Sequence, residues 1–286
     1  MSATIAPRRI TAMGSLRRDP VALICLCTIA VLLILAIFAP WFAWVDPTAQ
    51  NVLKPSRPPS PTNWFGTDQF GRDIFSRILY GGRVSLLVGI SAPLLAGVIG
   101  SLVGVIAGYV GGLSDRLIMR VVDLLMAFPS LLLGVLVAAA MGPGLRNVVI
   151  ALSLAFVPRF IRIARASTLS VRQEPYIEAA RATGLRHRRV VLRHVLPNIM
   201  GPLLVVGSLQ IATSIRLEAT LSFLGLGTQP PSPSWGNIIR DGMNNMLGSP
   251  WPIIASGVAI TLAVLAFNML GDQLSDAFDP TRRRQS

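Results

Sequence analysis

The chain has 286 residues, of which 52% are apolar and 14% charged, with a mean hydropathy of +0.60. Soluble domains carry about 25% charged residues, so this composition excludes a soluble globular protein and points to an integral membrane protein. Net charge is +13, from 26 basic and 13 acidic residues. The arginines gather at the ends of apolar runs, which is the mark of membrane topology rather than of a nucleic-acid surface.

Residues 1–20 are polar and basic (Arg8, Arg9, Arg17, Arg18) and read as a cytoplasmic tail. Residues 21–42 form the first transmembrane helix, with Trp41 and Trp44 placed for the interface. The run exceeds the 7–15-residue core of a signal peptide, and Pro40-Trp41-Phe42 is no cleavage site, so a retained anchor is expected. Cys25 and Cys27 lie two apart on this helix and point in different directions, implying neither a disulfide nor a metal site. An extracytoplasmic loop is expected over 43–83. Its first half is Pro-rich, and its second carries Trp64-Phe65-Gly66-Thr67-Asp68-Gln69-Phe70-Gly71-Arg72-Asp73, in which Asp and Arg are available for local pairing.

A five-helix core is expected over 84–271. Its first helix, Val84 to Tyr109, carries Gly100, Gly104 and Gly108 at four-residue spacing, a small-residue stripe that lets helices approach closely in lipid. That stripe serves either packing within the chain or a seam with another subunit. The next span is expected over Leu124–Met141 with a kink at Pro129, and another from Val148 to about Ile163, emerging into Arg159, Arg162 and Arg165.

Then comes a polar stretch, Glu174 to Pro197, within a loop expected over 166–198. It holds five arginines after Glu174 besides two histidines, and arginines at the bilayer centre cost about 2.5–3.5 kcal/mol each on insertion scales. The stretch therefore lies outside the bilayer. Pro175 suits a first helical turn, Tyr176 to Thr183 read as helix, and Gly184 supplies a left-handed end. Arg186 to Val195 read as a second helix, which Pro197 is expected to stop. Two further spans follow, from Ile199 to about Ile215 and from Ile253 to about Leu270. Between them lies an outer loop, 217–251, with Leu221-Ser222-Phe223-Leu224-Gly225-Leu226-Gly227 and Trp235-Gly236. Arg216 and Glu218 either pair with each other at the interface or serve function. Residues 272–286 form a second cytoplasmic tail.

The spacing Glu178-Ala179-Ala180, three residues, Gly184, nine residues, His194, one residue, Leu196-Pro197 resembles the EAA loop of permease subunits in binding-protein-dependent ABC importers. The family pattern has isoleucine where this chain has His194. The Trp64–Asp73 run, the Leu221–Gly227 run and the ending Gly271-Asp272-Gln273-Leu274-Ser275-Asp276-Ala277-Phe278-Asp279-Pro280 are similar to the smaller, C-type permease of the dipeptide/oligopeptide/nickel branch. The resemblance implies an all-α, six-span permease fold of the type I importer kind in a bacterial inner membrane. It implies that Tyr176, Ile177, Glu178, Ala179, Ala180, Arg181, Ala182, Thr183, Gly184 and Leu185 form a coupling helix for an ATP-hydrolysing partner. It further implies a homologous second permease, two ATP-binding subunits that hold ATP and magnesium, an extracytoplasmic solute-binding protein and membrane lipid, with no nucleic acid and no cofactor on this chain.

Charge counting reaches the same orientation independently. With six spans and the N-terminus inside, 18 of the 26 basic residues fall on the inner side, which places both termini and the EAA-like loop in the cytoplasm. No G-x4-G-K-[ST] phosphate loop occurs, and the two histidines, His187 and His194, belong to no catalytic constellation. The expectation is a transport subunit, not an enzyme. The spans hold almost no ionisable residues and no internal repeat, which sets the chain apart from ion-driven secondary transporters.

Overall fold

The computed structural model describes residues 19–278, so the N-terminal tail before Asp19 and residues 279–286 lie outside the described residues. Among the described residues the regular structure is helical, save one isolated bridge between Thr67 and Asp73. The helices are α1 (Pro20–Ile37), α2 (Ala39–Phe42), α3 (Ile74–Val110), α4 (Gly112–Met126), α5 (Ser130–Met141) and α6 (Leu145–Arg172). They continue with α7 (Pro175–Ala182), α8 (His187–Val190), α9 (Leu196–Phe223), α10 (Trp235–Met243) and α11 (Trp251–Phe278). Five helical stretches are long and apolar enough to cross a membrane: α1, α3, α6, the run His187–Phe223 and α11.

The remaining span differs from the expected kinked helix. α4 and α5 are separate helices bent by 89°. Pro129 supplies no backbone N–H and sits in extended backbone, φ −54 and ψ 132, and the residue before a proline is driven out of the helical region. Ala127 and Phe128 therefore close α4 with turn hydrogen bonds to Asp123, Leu124 and Leu125 carbonyls. The two acids of α4 face α6: Arg165 grips Asp115 with two nitrogens, and Arg162 donates to Asp123 at 2.7 Å.

α3 begins inside what the sequence suggests is loop. Asp73 caps it by accepting from the Ser76 N–H at 2.8 Å, and 37 residues make a rod of about 55 Å, well beyond a ~30 Å hydrocarbon core. Pro93 interrupts its ladder. Hydroxyls from two neighbours, Ser153 of α6 and Ser214 of α9, donate to the Ala92 and Val88 carbonyls beside it at 3.1 and 3.3 Å, tying both helices to α3 at this point.

α3 and α6 form the most extensive helix pair, and the glycine stripe belongs to it. Gly100 faces Phe160 and the Val157 carbonyl, Gly104 faces the Ile161 carbonyl and Ala164, and Gly108 faces the Arg165 carbonyl and Thr168. Of the two roles open to the stripe, packing within the chain is the one observed. One core fills the space between α3, α5, α6 and the start of α9 (Val88, Leu152, Phe156, Phe160, Ile199), and a second joins α1, α3, α9, α10 and α11 (Leu86, Ile215, Trp235, Phe267).

The end of the bundle away from the α6–α9 connection is closed by buried charge. Asp68 accepts from Arg72 Nε at 2.6 Å and stands 3.6 Å from Arg77, while Asp241 of α10 takes both arginines at 3.0 and 3.4 Å. Asp68 and Arg72 thus pair locally, as their spacing allows, but the pair also recruits α3 and α10. Gly71, at φ +70, lies against the Asn51 carbonyl with no room for a side chain. Trp235 donates to the Ser85 hydroxyl and the Ile78 carbonyl, fixing α10 to α3. Arg216 and Glu218 do not pair. Arg216 reaches Thr213 at 3.5 Å, whereas Glu218 is 1% exposed and accepts from Ser222 at 2.6 Å, beside the hydroxyls of Ser85 and Ser234. The expected tail also begins late, because α11 runs on to Phe278.

A β-carbon on Gly104 would lie 2.5 Å from the Ile161 carbonyl oxygen, whereas one on Gly257 would meet nothing within 4 Å. Gly104→Val is expected to destabilise the chain by about 1–3 kcal/mol, the usual cost of overpacking a tight contact, and Gly257→Ala to leave it unchanged. Thermal unfolding of the detergent-purified variants measures the difference, and equal midpoints would contradict the packing described.

Candidate functional site

The polar stretch between α6 and α9 folds as two short helices joined at Gly184. Glu174 is extended, φ −73 and ψ 136, and Pro175 opens α7, where a missing N–H costs nothing. At the other end Gly184 adopts φ +76. Its N–H donates to the Arg181 carbonyl at 2.9 Å, and Leu185 N–H reaches back to Ala180 at 3.3 Å. That pair of bonds is the Schellman arrangement, which satisfies the last carbonyls of the helix. The expected helix and its glycine stop are both observed, with the helix set one residue earlier at each end.

The ten residues singled out from sequence divide by face. Ile177 is 0% exposed and joins the first core, with Ala180 and Leu185 packed against it and Arg181 half-buried. Tyr176, Glu178, Ala179, Ala182, Thr183 and Gly184 are exposed. The alternation follows from helical spacing, since 177, 180–181 and 185 fall on one face. Ala180 therefore packs inward, and only Ala179 of the alanine pair is free for close approach from outside. Glu178 lies in the first turn of α7, where a carboxylate suits the positive end of the helix dipole.

Two residues that no sequence pattern connects anchor this turn. The Arg181 guanidinium lies 4.9 Å from the centre of the Tyr109 ring, and the Tyr109 hydroxyl is 3.1 Å from His187 Nδ1. Tyr109 ends α3, 78 residues before His187, so only the tertiary fold brings them together. A cation over a ring face is attracted by the ring's quadrupole, and Arg181 Nε has no hydrogen-bond partner among the described residues.

Pro197 does not stop the second helix. α8 passes through a π turn, Val191–Val195, directly into α9. The wider π turn ahead of the proline accommodates its ring, and the Asn198 side-chain amide donates to the His194 carbonyl at 2.6 Å. Val190, Val195 and Ile199 are fully buried in the same core as Ile177. The exposed face of α7 is therefore backed, without a break in packing, by α6 and the first half of α9.

Residues 100–284, more than half of the chain and including all of this turn, match the model of the binding-protein-dependent transport system inner membrane component. The chain belongs to that family. Residues 11–59 match a second model, the N-terminal membrane domain of oligopeptide transport permease C. The permease is 42% identical over 275 residues to a putative peptide transport system permease protein of Brucella suis biovar 1, covering 96% of this chain and 92% of that one. It is 42% identical to a dipeptide transport system permease protein of Alkalihalophilus pseudofirmus, covering 94% and 88%. It is 44% identical to a glutathione transport system permease protein of Escherichia coli O6:K15:H31, covering 92% and 88%. Its fold is similar to a chain of the methionine ABC transporter MetNI in an inward-facing conformation, with TM-score 0.59 and 18% identity, covering 72% of this chain and 98% of that chain. The permease is thus an inner-membrane subunit of an ABC importer, as its sequence resemblance implies.

A β-carbon on Gly184 would meet nothing within 4 Å, so backbone handedness alone sets the cost of substitution there. Gly184→Val is expected to strain the turn by about 1–2 kcal/mol, opening it about tenfold more often, while Gly184→Asn is tolerated. Hydrogen exchange at the Leu185 amide reads this directly. Equal protection in all three forms would contradict the turn geometry.

Proposed function

We propose that the outward face of α7 is the docking surface for an ATP-hydrolysing subunit, and that this permease carries peptides or a related solute, such as a nickel chelate, inward. One observation carries the reading: α7 presents Tyr176, Glu178, Ala179 and Thr183 outward while Ile177, on the same helix, is locked into the membrane core. A load placed on that face passes into α6 and α9 rather than into a loose loop. The positive-inside distribution supports a cytoplasmic position for α7 and for both termini.

The assembly we infer has a second, homologous permease, two ATP-binding subunits that hold ATP and magnesium, and a solute-binding protein on the outer side. Leu87, Leu94, Val98 and Leu102 form an exposed apolar stripe along α3, which suits lipid or the second permease. The outer cap, stapled by Asp241 to Arg72 and Arg77, is the rigid platform for the binding protein. ATP binding draws the two ATPases together, α7 moves with them, and the spans exchange outward for inward access. Peptide relatives above 40% identity support the substrate class.

Affinity purification from the native membrane tests the docking. Wild type is expected to bring down an ATPase pair and a second permease. Glu178→Arg, which reverses charge on the exposed face and touches no buried group, is expected to lower ATPase recovery about tenfold or more, equivalent to ~1.4 kcal/mol, while keeping the second permease. Full ATPase recovery with the variant would remove α7 from the interface.

A further inference from the structure

A cavity of about 300 Å³ opens where α4 breaks from α5, walled by α6 and α9. Its apolar lining includes Phe128, Leu133 and Phe156, and its polar lining comprises Ser130, Arg159, Gln210 and Thr213. Arg159 lies 14 residues into α6 and Gln210 13 residues from the end of α9, each about 20 Å along its helix and so within the depth of a ~30 Å hydrocarbon core, deeper than the inner-side position that charge counting gives Arg159.

Two groups in this cavity are incomplete. Gln210 is 4% exposed, and its side-chain amide has no hydrogen-bond partner among the described residues. Arg159 is the third in a row of arginines on α6. Arg165 pairs with Asp115 and Arg162 with Asp123, both acids of α4. At Arg159 the row runs out of acids, because α4 has ended and Ala127, Phe128 and Pro129 take its place. Among the described residues Arg159 has no ion pair and no hydrogen bond. A second cation, Arg216, leans on Thr213 at the cavity's edge with no acid beside it among the described residues. Arg159 is an exposed residue of this lining, and an unpaired arginine at membrane depth calls for a partner.

We propose that this cavity is a transit subsite for the carboxylate of the transported solute. Arg159 supplies the charge-assisted fork, Gln210 supplies a neutral hydrogen bond through its side-chain N–H, and Phe128 and Phe156 pack the adjoining apolar side chain. The solute's anion takes the place of the acid missing from the row. Any cargo that presents a carboxylate, a peptide C-terminus or a carboxylate-bearing chelate, meets this chemistry, and a solute without an anionic group does not. The assignment rests on the importer reading given above and adds to it the group of the solute that the permease itself holds.

The test uses the whole complex purified through this chain, without the solute-binding protein, in equilibrium dialysis against a labelled dipeptide and against its C-terminal amide. Wild type is expected to bind the acid more tightly than the amide. Arg159→Gln and Gln210→Leu are expected to weaken the acid about ten- to a hundred-fold, the span for losing a charged hydrogen bond, with Arg159→Gln leaving the amide unchanged. Ala155→Glu, four residues before Arg159 on the cavity wall, supplies the missing acid in an i,i+4 pair and is expected to abolish the preference for the acid with Arg159 intact. Subunit recovery in each preparation reports assembly. No binding of the acid by wild type, equal loss of acid and amide, or an unchanged preference in Ala155→Glu would each overturn the subsite. ATP-driven uptake by wild-type vesicles supplied with binding protein is scored separately. Its absence would overturn the importer reading itself, whereas its presence with unaltered dialysis would overturn the subsite alone.

Discussion

The close approach of α3 and α6 sets the position of every other part. Lipid offers apolar helices no hydrophobic reward for leaving it, so their association depends on dispersion and on backbones that come near enough to use it. Gly100, Gly104 and Gly108 give α3 a flat face against which the carbonyls of Val157, Ile161 and Arg165 lie directly. With that pair fixed, the end of α6 delivers the chain to α7 within three residues, and the end of α3 delivers Tyr109 beneath Arg181. The functional turn is held from both sides by one helix pair.

The opposite end of the bundle is built on a different principle. Asp68, Arg72, Arg77 and Asp241 are charges withdrawn from water, and such clusters gain little net stability over an apolar packing of equal volume. What they provide is geometry. Each arginine reaches both acids, so the loop, α3 and α10 share one registration that no two of them could set alone. Removing one member strands an uncompensated buried charge, which makes the cap an all-or-none feature.

Much of this was legible in sequence because the relevant physics is local. Apolar length marks a span, a glycine after helix formers marks a left-handed stop at Gly184, and the four-residue glycine spacing marks a close contact. The failures also have causes. Pro129 and Pro197 carry the same local signal, a missing N–H and a bulky ring. One breaks a helix by 89° and the other is passed through on a π turn. The difference lies in the neighbours: Asn198 covers a carbonyl beside Pro197, whereas α4 has its charged face committed to α6 and α5 has none. The inward turn of Ala180, the Tyr109–His187 contact and the role of Asp241 depend on residues far apart in sequence, and no pattern within one segment encodes them. The likeness of the Glu178–Pro197 spacing to known permeases points to this turn, but not to which of its residues hold it to the spans.

The distribution of these contacts also decides where the molecule yields. α6 meets α3 through backbone-depth packing, and close-packed contacts of this kind are stiff. Nearest the cavity it meets α4 through the Arg162–Asp123 pair, whose side chains are 47% and 61% exposed, and exposed pairs of this kind hold with about 0–1 kcal/mol. The break at Ala127–Pro129 frees α5 from α4 in the same place. Under the proposed docking, a load on α7 passes into α3, α6 and the first half of α9, and the α4–α5 seam is the weakest joint beside them. The cavity lies on that seam, with Arg159 and Gln210 on the wall formed by α6 and α9 and Leu125 to Leu133 on the wall formed by α4 and α5.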